Sequence, residues 1–232
     1  MPTYIFGEGP TATVSGTHKD TYLISVAAGA SGATEVDLFT LLNGRFPLLR
    51  FDISSIGAGE TIDSATLRLY IATTALTGDA NISAHALNIA WGVTDTAEGA
   101  SANPATDGQA TFQRSKDFNG GGGDVTWGAG NYSAADYGAA VDPQTVGVAA
   151  NVGDPVDWTL TAMINSWHTG ATTNNGIALI SDRNEALNFD SQESVTAAER
   201  PLLTVVTTVG GGTGSSVARQ KSSTSVGIGI GV

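Results

Sequence analysis

Residues Ser64-Ala65-Thr66-Leu67-Arg68-Leu69-Tyr70-Ile71 alternate in character, with Leu67, Leu69 and Ile71 on one side and Thr66, Arg68 and Tyr70 on the other. A period of two is that of a β-strand with one buried face, and such a strand needs a second layer over its apolar side. Further runs at 80–89, 145–149, 176–181, 187–191 and 202–209 are short and bounded by Gly, Asn, Asp or Pro. Between 34 and 53, two more flank Leu42-Asn43-Gly44-Arg45, where Asn-Gly offers the positive φ angles of a tight type I′ hairpin. Two sheets packed face to face are the simplest way to bury these strands. With 232 residues, 30 of them glycine, the chain suits one large all-β domain.

One stretch has the helical period. Leu160, Met163, Ile164 and Trp167 fall at i, i+3, i+4 and i+7, with Thr161 available as N-cap and Gly170 just past the end. The expectation is a jelly-roll-like antiparallel β-sandwich with one short helix closing one end. It has three parts: an N-terminal extension over 1–19, the sandwich over 20–209, and a Gly/Ser linker with a distinct tail over 210–232. In the tail Val226, Ile228, Ile230 and Val232 alternate with glycine, a pattern suited to pairing with another sheet edge.

Lys and Arg number 10 against 22 Asp and Glu, a net charge of −12, which repels phosphate backbones and anionic headgroups. Nucleic acid is therefore not an expected partner, and no apolar run approaches membrane-spanning length. Without cysteine there is no disulfide or thiolate metal site. The first residues, Met1-Pro2-Thr3-Tyr4-Ile5-Phe6-Gly7-Glu8, lack the basic and apolar regions of a secretory signal, so self-export is not expected.

Seven segments, in order, carry a family resemblance: Asp20-Thr21-Tyr22; Leu48-Leu49-Arg50-Phe51-Asp52; Ile62-Asp63-Ser64-Ala65-Thr66-Leu67-Arg68-Leu69-Tyr70; Asp157-Trp158-Thr159 with Trp167; Asn174-Asn175-Gly176-Ile177-Ala178-Leu179; Asn188-Phe189-Asp190-Ser191-Gln192-Glu193; and Arg200-Pro201-Leu202-Leu203-Thr204-Val205. In these the chain resembles the DNRLRE-domain family, which includes carbohydrate-binding modules and cell-surface or virion-associated proteins. The resemblance implies a jelly-roll sandwich and mostly non-catalytic roles. Thr111-Phe112 departs from a frequent Thr-Trp, Gln192 replaces a frequent Arg, and 1–19 and 210–232 have no family counterpart.

The candidate chemistry is sparse. His18, His85 and His168 read as structural or solvated, and His168 also suits the helix C-terminus. No G-x-S-x-G elbow is present, and the run Gly120-Gly121-Gly122-Gly123-Asp124 lacks the Lys-Ser/Thr of a phosphate loop. Asp182, Asn184 and Asp190 form a weak candidate for structural calcium, and no other cofactor is expected. Arg50, Asp52, Arg68, Glu193 and Arg200 suggest an ion-pair network at the sandwich end. Trp91, Trp158 and Trp167 read as core aromatics. Trp127, Tyr132 and Tyr137 lie in the loop-rich middle, either stacking on sugar rings or forming a satellite core beneath a long surface loop.

Function is read in three ways. The first is a non-enzymatic virion structural protein of a bacteriophage, such as a capsid decoration or tail-associated subunit. Its assembly segment would be Arg219, Lys221, Val226, Ile228, Ile230 and Val232, its partners other virion subunits or further copies of itself, and its place the virion. The alternative is a carbohydrate-binding module of an extracellular or cell-surface adhesin, using Trp127, Tyr132 and Tyr137 on a surface polysaccharide. Paired carboxylates among the 22 acidic residues leave a polysaccharide lyase or glycosidase as the third.

Overall fold

The computed structural model describes residues 1–15, 18–25, 37–41, 44–92, 109–116, 118 and 123–209. They form an antiparallel β-sandwich. The larger sheet holds β1 (Thr3–Gly7), β3 (Asp37–Thr40), β5 (Glu60–Thr74), β10 (Pro155–Thr159), β12 (Leu187–Asp190) and β13 (Leu202–Val209), ordered β1-β13-β5-β12-β3 with β10 also on β5. The smaller sheet runs β2-β4-β11-β6-β9, comprising β2 (His18–Ile24), β4 (Arg45–Phe51), β6 (Ala80–Leu87), β9 (Tyr137–Val146) and β11 (Ile177–Ser181). A short ribbon, β7 (Arg114–Lys116) with β8 (Val125–Thr126), lies within the β6–β9 connection. The chain crosses repeatedly from one sheet to the other, as in a jelly roll.

β5 organises the larger sheet because its alternation is long and regular. Leu67, Leu69 and Ile71 are buried between the sheets, while Arg68 on the opposite face is exposed. Arg68 faces Leu202 of β13 and Asp157 of β10 in register, so these two strands take opposite edges of β5. Between the sheets these side chains meet Phe6, Leu49, Phe51, Trp158, Phe189 and Val205. The Trp158 indole N–H donates to Ile82 O at 3.0 Å, which satisfies its only polar atom. Helix α1 (Thr161–His168) adds Met163, Ile164 and Trp167 to the same core.

Several expectations are corrected. Residues 1–19 are no separate extension: β1 pairs with β13 from Thr3↔Val206 to Gly7↔Leu202, and Phe6 is fully buried. The described residues on the two sides of the Asn-Gly segment belong to different sheets. Leu41 and Arg45 exchange backbone hydrogen bonds at 3.1 Å each, but β3 joins the larger sheet and β4 the smaller. Leu42 and Asn43 themselves lie outside the described residues. The strand expected at 145–149 instead covers Tyr137–Val146. It is rich in Gly, Ala, Asp and Pro, which have low β propensity, but pairing with β6 makes it an edge strand, where a proline is tolerated.

Thr161 does not cap its helix. Its Oγ1 accepts from Ala65 N at 3.1 Å, tying helix to sheet, and Leu160 occupies the cap position without a side-chain bond. Gly170 takes φ +73 just past the end, as the sequence predicts. The ion-pair network does not assemble. Arg68 makes a bidentate pair with Asp157 at 2.7 and 2.6 Å, and Arg200 Nε donates to Ser194 O at 3.0 Å. Gly176 is required by its backbone: φ is +102, and a Cβ there would lie 2.6 Å from Leu49 O.

Candidate functional site

β4 has two apolar faces. Leu49 and Phe51 enter the core between the sheets, while Phe46 and Leu48 point to the outer side of the smaller sheet. Leu23 of β2, Ala178 and Ile180 of β11, Leu87 of β6 and Tyr137 of β9 continue that outer surface. An apolar sheet face of this extent needs a cover, and the β6–β9 connection supplies one. Trp91, Ala110, Phe112, Trp127 and Tyr132 pack onto it as a second hydrophobic cluster.

Hydrogen bonds hold this cover in place. The Trp127 indole donates to Thr111 O at 2.8 Å, and Tyr132 N donates to Phe112 O at 2.8 Å. Asp136 is fully buried. Its Oδ1 accepts from Gly128 N at 2.8 Å and its Oδ2 from Ser133 N at 2.8 Å, closing a capping box on the 3₁₀ turn Ala134–Asp136.

At the edge of the cover a cavity of about 400 Å³ opens between Phe46, Phe112, Tyr132, Ser133, Ala134 and Tyr137. Phe46 and Phe112 stack with centroids 6.1 Å apart, and Tyr132 tilts against Phe46 at 5.1 Å. Tyr137, half-buried, lies 5.8 Å from Tyr132 and takes the edge of His85 at 4.8 Å. His85 Nδ1 donates to Gly138 O at 2.9 Å, since a carbonyl can only accept, so this histidine is a structural support for Tyr137. Burial, followed by the charges of Tyr137 and Asp136, raises the Tyr132 phenol well above its ordinary range. Burial raises Tyr137 as well.

The three aromatic candidates therefore divide. Trp127 is 0 % exposed beneath Tyr132, 5.1 Å away and edge-on, so no sugar can stack on it; it belongs to the satellite core. Tyr132 and Tyr137 line the cavity, joined by Phe46 and Phe112, which the sequence reading did not select. The signal for Phe46 was present in β4, whose successive side chains are apolar on both faces. Trp91, Trp158 and Trp167 are core aromatics, as expected.

A larger trough of about 700 Å³ crosses the outer face of the larger sheet, with Arg68, Asp157, Tyr70, Thr66 and Thr204 along its floor. Size does not favour it, because Arg68 and Asp157 already satisfy each other. A third polar group lies between the sheets. His18 stacks on Phe51 at 4.5 Å with neither ring nitrogen hydrogen-bonded, and Asp20 Oδ2 accepts from Gln192 N at 2.9 Å while Oδ1 has no partner. His18 Nε2 is 3.5 Å from Asp20 Oδ2, too long for a hydrogen bond. Burial lowers the His18 pKa to about 3, and burial with the nearby Glu193 charge raises Asp20 well above its usual range. At 4 % and 1 % exposure the two have no path to a substrate.

The calcium candidates are engaged elsewhere. Asp182 accepts from Asn81 N and Nδ2 at 2.8 and 2.7 Å, and Asp190 Oδ1 accepts from Ser194 Oγ at 2.6 Å. Among the described residues no three His, Asp or Glu side chains gather as a metal site. Arg219, Lys221, Val226, Ile228, Ile230 and Val232 lie outside the described residues, as do Gly120, Gly121 and Gly122 of the glycine run. No protein-family model matches the chain, and no curated protein matches it significantly.

Proposed function

We propose that the protein is a non-enzymatic saccharide-binding β-sandwich that holds its ligand in the cavity between Phe46, Phe112, Tyr132 and Tyr137. The observation that carries this reading is the cavity's composition: four aromatic side chains, Phe46, Phe112, Tyr132 and Tyr137, beside Ser133 and Ala134 at one surface site. Aromatic rings pack on the C–H face of a sugar, and neighbouring polar groups fix its hydroxyls. A glycan array is expected to show binding, and Tyr137→Ala is expected to weaken it about tenfold, the value of one such ring contact. The variant should melt close to the parent. Absence of binding across neutral and charged glycans removes this reading.

The DNRLRE-domain resemblance agrees with a carbohydrate-binding module. It is equally compatible with a place on a larger particle, and a virion structural protein, as a capsid decoration or tail-associated subunit of a bacteriophage, is the second reading. What favours it is the exit of the chain: β13 ends at Val209, 65 % exposed, where the composition turns to glycine and serine. Removing 210–232 is expected to leave the sandwich folded and to abolish particle association. Particle association that survives the deletion overturns the anchoring role of Arg219, Lys221 and the Val226 to Val232 alternation.

A further inference from the structure

We infer that the peptide bond between Asp142 and Pro143 is a self-cleavage site, at which the Asp142 carboxylate cuts its own backbone and leaves a nicked but folded protein.

The bond lies at an irregularity built into β9. Ala84 pairs with Val141 and Ile82 with Gln144, so Asp142 and Pro143 together stand opposite Ser83 as a bulge. Among the described residues Asp142 is the one non-glycine residue with a positive φ, +45. A following proline confines a residue to extended backbone with negative φ, so Asp142 is strained both by its own Cβ and by the ring after it. The pairing on either side of the bulge holds that strain, and cutting the bond releases it. Two hydrogen bonds fix the reacting groups. Asp142 Oδ2 accepts from Thr159 N of β10, which anchors the carboxylate, and Asp142 O accepts from Gln144 Nε2 at 3.3 Å. A donor on the carbonyl oxygen stabilises the negative charge that gathers there when the carbon is attacked. Pro143 is exposed and Asp142 half-buried, so water reaches the bond.

The reaction needs only water. A carboxylate oxygen of Asp142 attacks the carbonyl carbon of the same residue, an intramolecular step with a nucleophile already in place. A C–O bond forms and closes a cyclic anhydride, the C–N bond breaks, and the Pro143 nitrogen takes up a proton as it leaves as a secondary amine. Water then opens the anhydride, restoring the side-chain carboxylate and giving Asp142 a terminal one. That hydrolysis returns two protons, one replacing the proton consumed and one charging the amine. The competing rearrangement, attack of the next backbone nitrogen on the side chain, needs an N–H that proline lacks. Strands from 1–142 and from 143–232 interleave in both sheets, so the two pieces stay together. The chain also holds a second Asp-Pro bond, Asp154-Pro155, as an internal comparison. Asp154 has no positive φ, and its Oδ2 is turned onto Asn151 N at 2.8 Å.

The test incubates the purified full chain at pH 5, folded and in guanidinium, and follows intact mass under denaturing conditions. The folded protein is expected to give fragments 1–142 and 143–232, with masses summing to the parent plus one water, about tenfold faster than the unfolded chain. Asp154-Pro155 should stay intact in the folded protein, and native size-exclusion elution should not change. Asp142→Asn, which keeps an acceptor for Thr159 N and tolerates a positive φ, should abolish the cut. Gln144→Ala should slow it about fivefold, the loss of one hydrogen bond. Cleavage no faster in the folded protein than in guanidinium, or equal cleavage at the two Asp-Pro bonds, overturns the role of the fold. Fragments that form at the parent rate in Asp142→Asn overturn self-cleavage and point to a contaminating protease. An unchanged rate in Gln144→Ala overturns the arrangement at the carbonyl, and it decides the case if circular dichroism shows that Asp142→Asn does not fold.

Discussion

Trp127→Ala is expected to destabilise the protein by about 3–5 kcal/mol, the usual cost of emptying a buried tryptophan site. For a chain of this length that is a fall in Tm of roughly 10 °C. Trp127 is 0 % exposed, stands edge-on to Tyr132 at 5.1 Å and satisfies its indole N–H on Thr111 O. The truncation removes the ring contact and the indole's hydrogen bond to Thr111 O, and opens a void under the cavity. Ligand binding should fall with it, since Tyr132 loses the surface it rests on. A sugar-stacking tryptophan gives the opposite result, lost binding with stability unchanged. Thermal melting of Trp127→Ala beside Tyr137→Ala separates the two, and an unaltered Tm for Trp127→Ala would refute the satellite core.

His18→Phe is expected to remove much of the protein's sensitivity to mild acid. Burial holds the folded-state pKa of His18 near 3 against an ordinary 6.5. Between those values the unfolded chain binds a proton that the folded one refuses, so this group's stabilising contribution is complete above pH 6.5 and is lost progressively as the pH falls toward 3. The full span is on the order of a few kcal/mol. Asp20 acts in the other direction. Its raised pKa means that the folded state holds a proton the unfolded chain releases, so its contribution grows as the pH falls through that window. It therefore offers His18 no compensating charge in acid. Phenylalanine would keep the stacking on Phe51 at 4.5 Å and discard two ring nitrogens that have no hydrogen-bond partner. The variant should be at least as stable as the parent at pH 7, with a gap in Tm that widens between pH 6.5 and 4. A constant gap over that range would show that His18 is protonated inside the fold.

Both effects come from residues whose types were plain in the sequence and whose surroundings were not. His18 read as a strand-start histidine, structural or solvated, and it is buried. Its complete desolvation depends on Phe51 and on Asp20, brought together by the pairing of β2 with β4. Phe46 and Phe112 are 66 positions apart in the chain and stack only because the β6–β9 connection folds back over β4. That Phe46 and Leu48 alternate with Leu49 and Phe51 in one strand already implied a sheet covered on both faces. The identity of the cover did not follow from it.

What the sequence determined by itself is local. The alternation in 64–71, the helical spacing of Leu160, Met163, Ile164 and Trp167, and Gly170 beyond it specify strands, helix and buried faces, because side-chain direction follows from backbone period alone. Two-sheet packing follows in turn, since strands with one apolar face have few other ways to bury it. Only the tertiary structure decided that 3–7 and 137–146 are strands, that Trp127 lies inside while Tyr137 faces the cavity, and that the Tyr132 hydroxyl is left without a partner. In each case the outcome depends on which distant surface a segment meets. Hydrogen bonds to a neighbouring strand can organise a segment of weak β propensity, and whether a loop aromatic is core or contact depends on the sheet face beneath it.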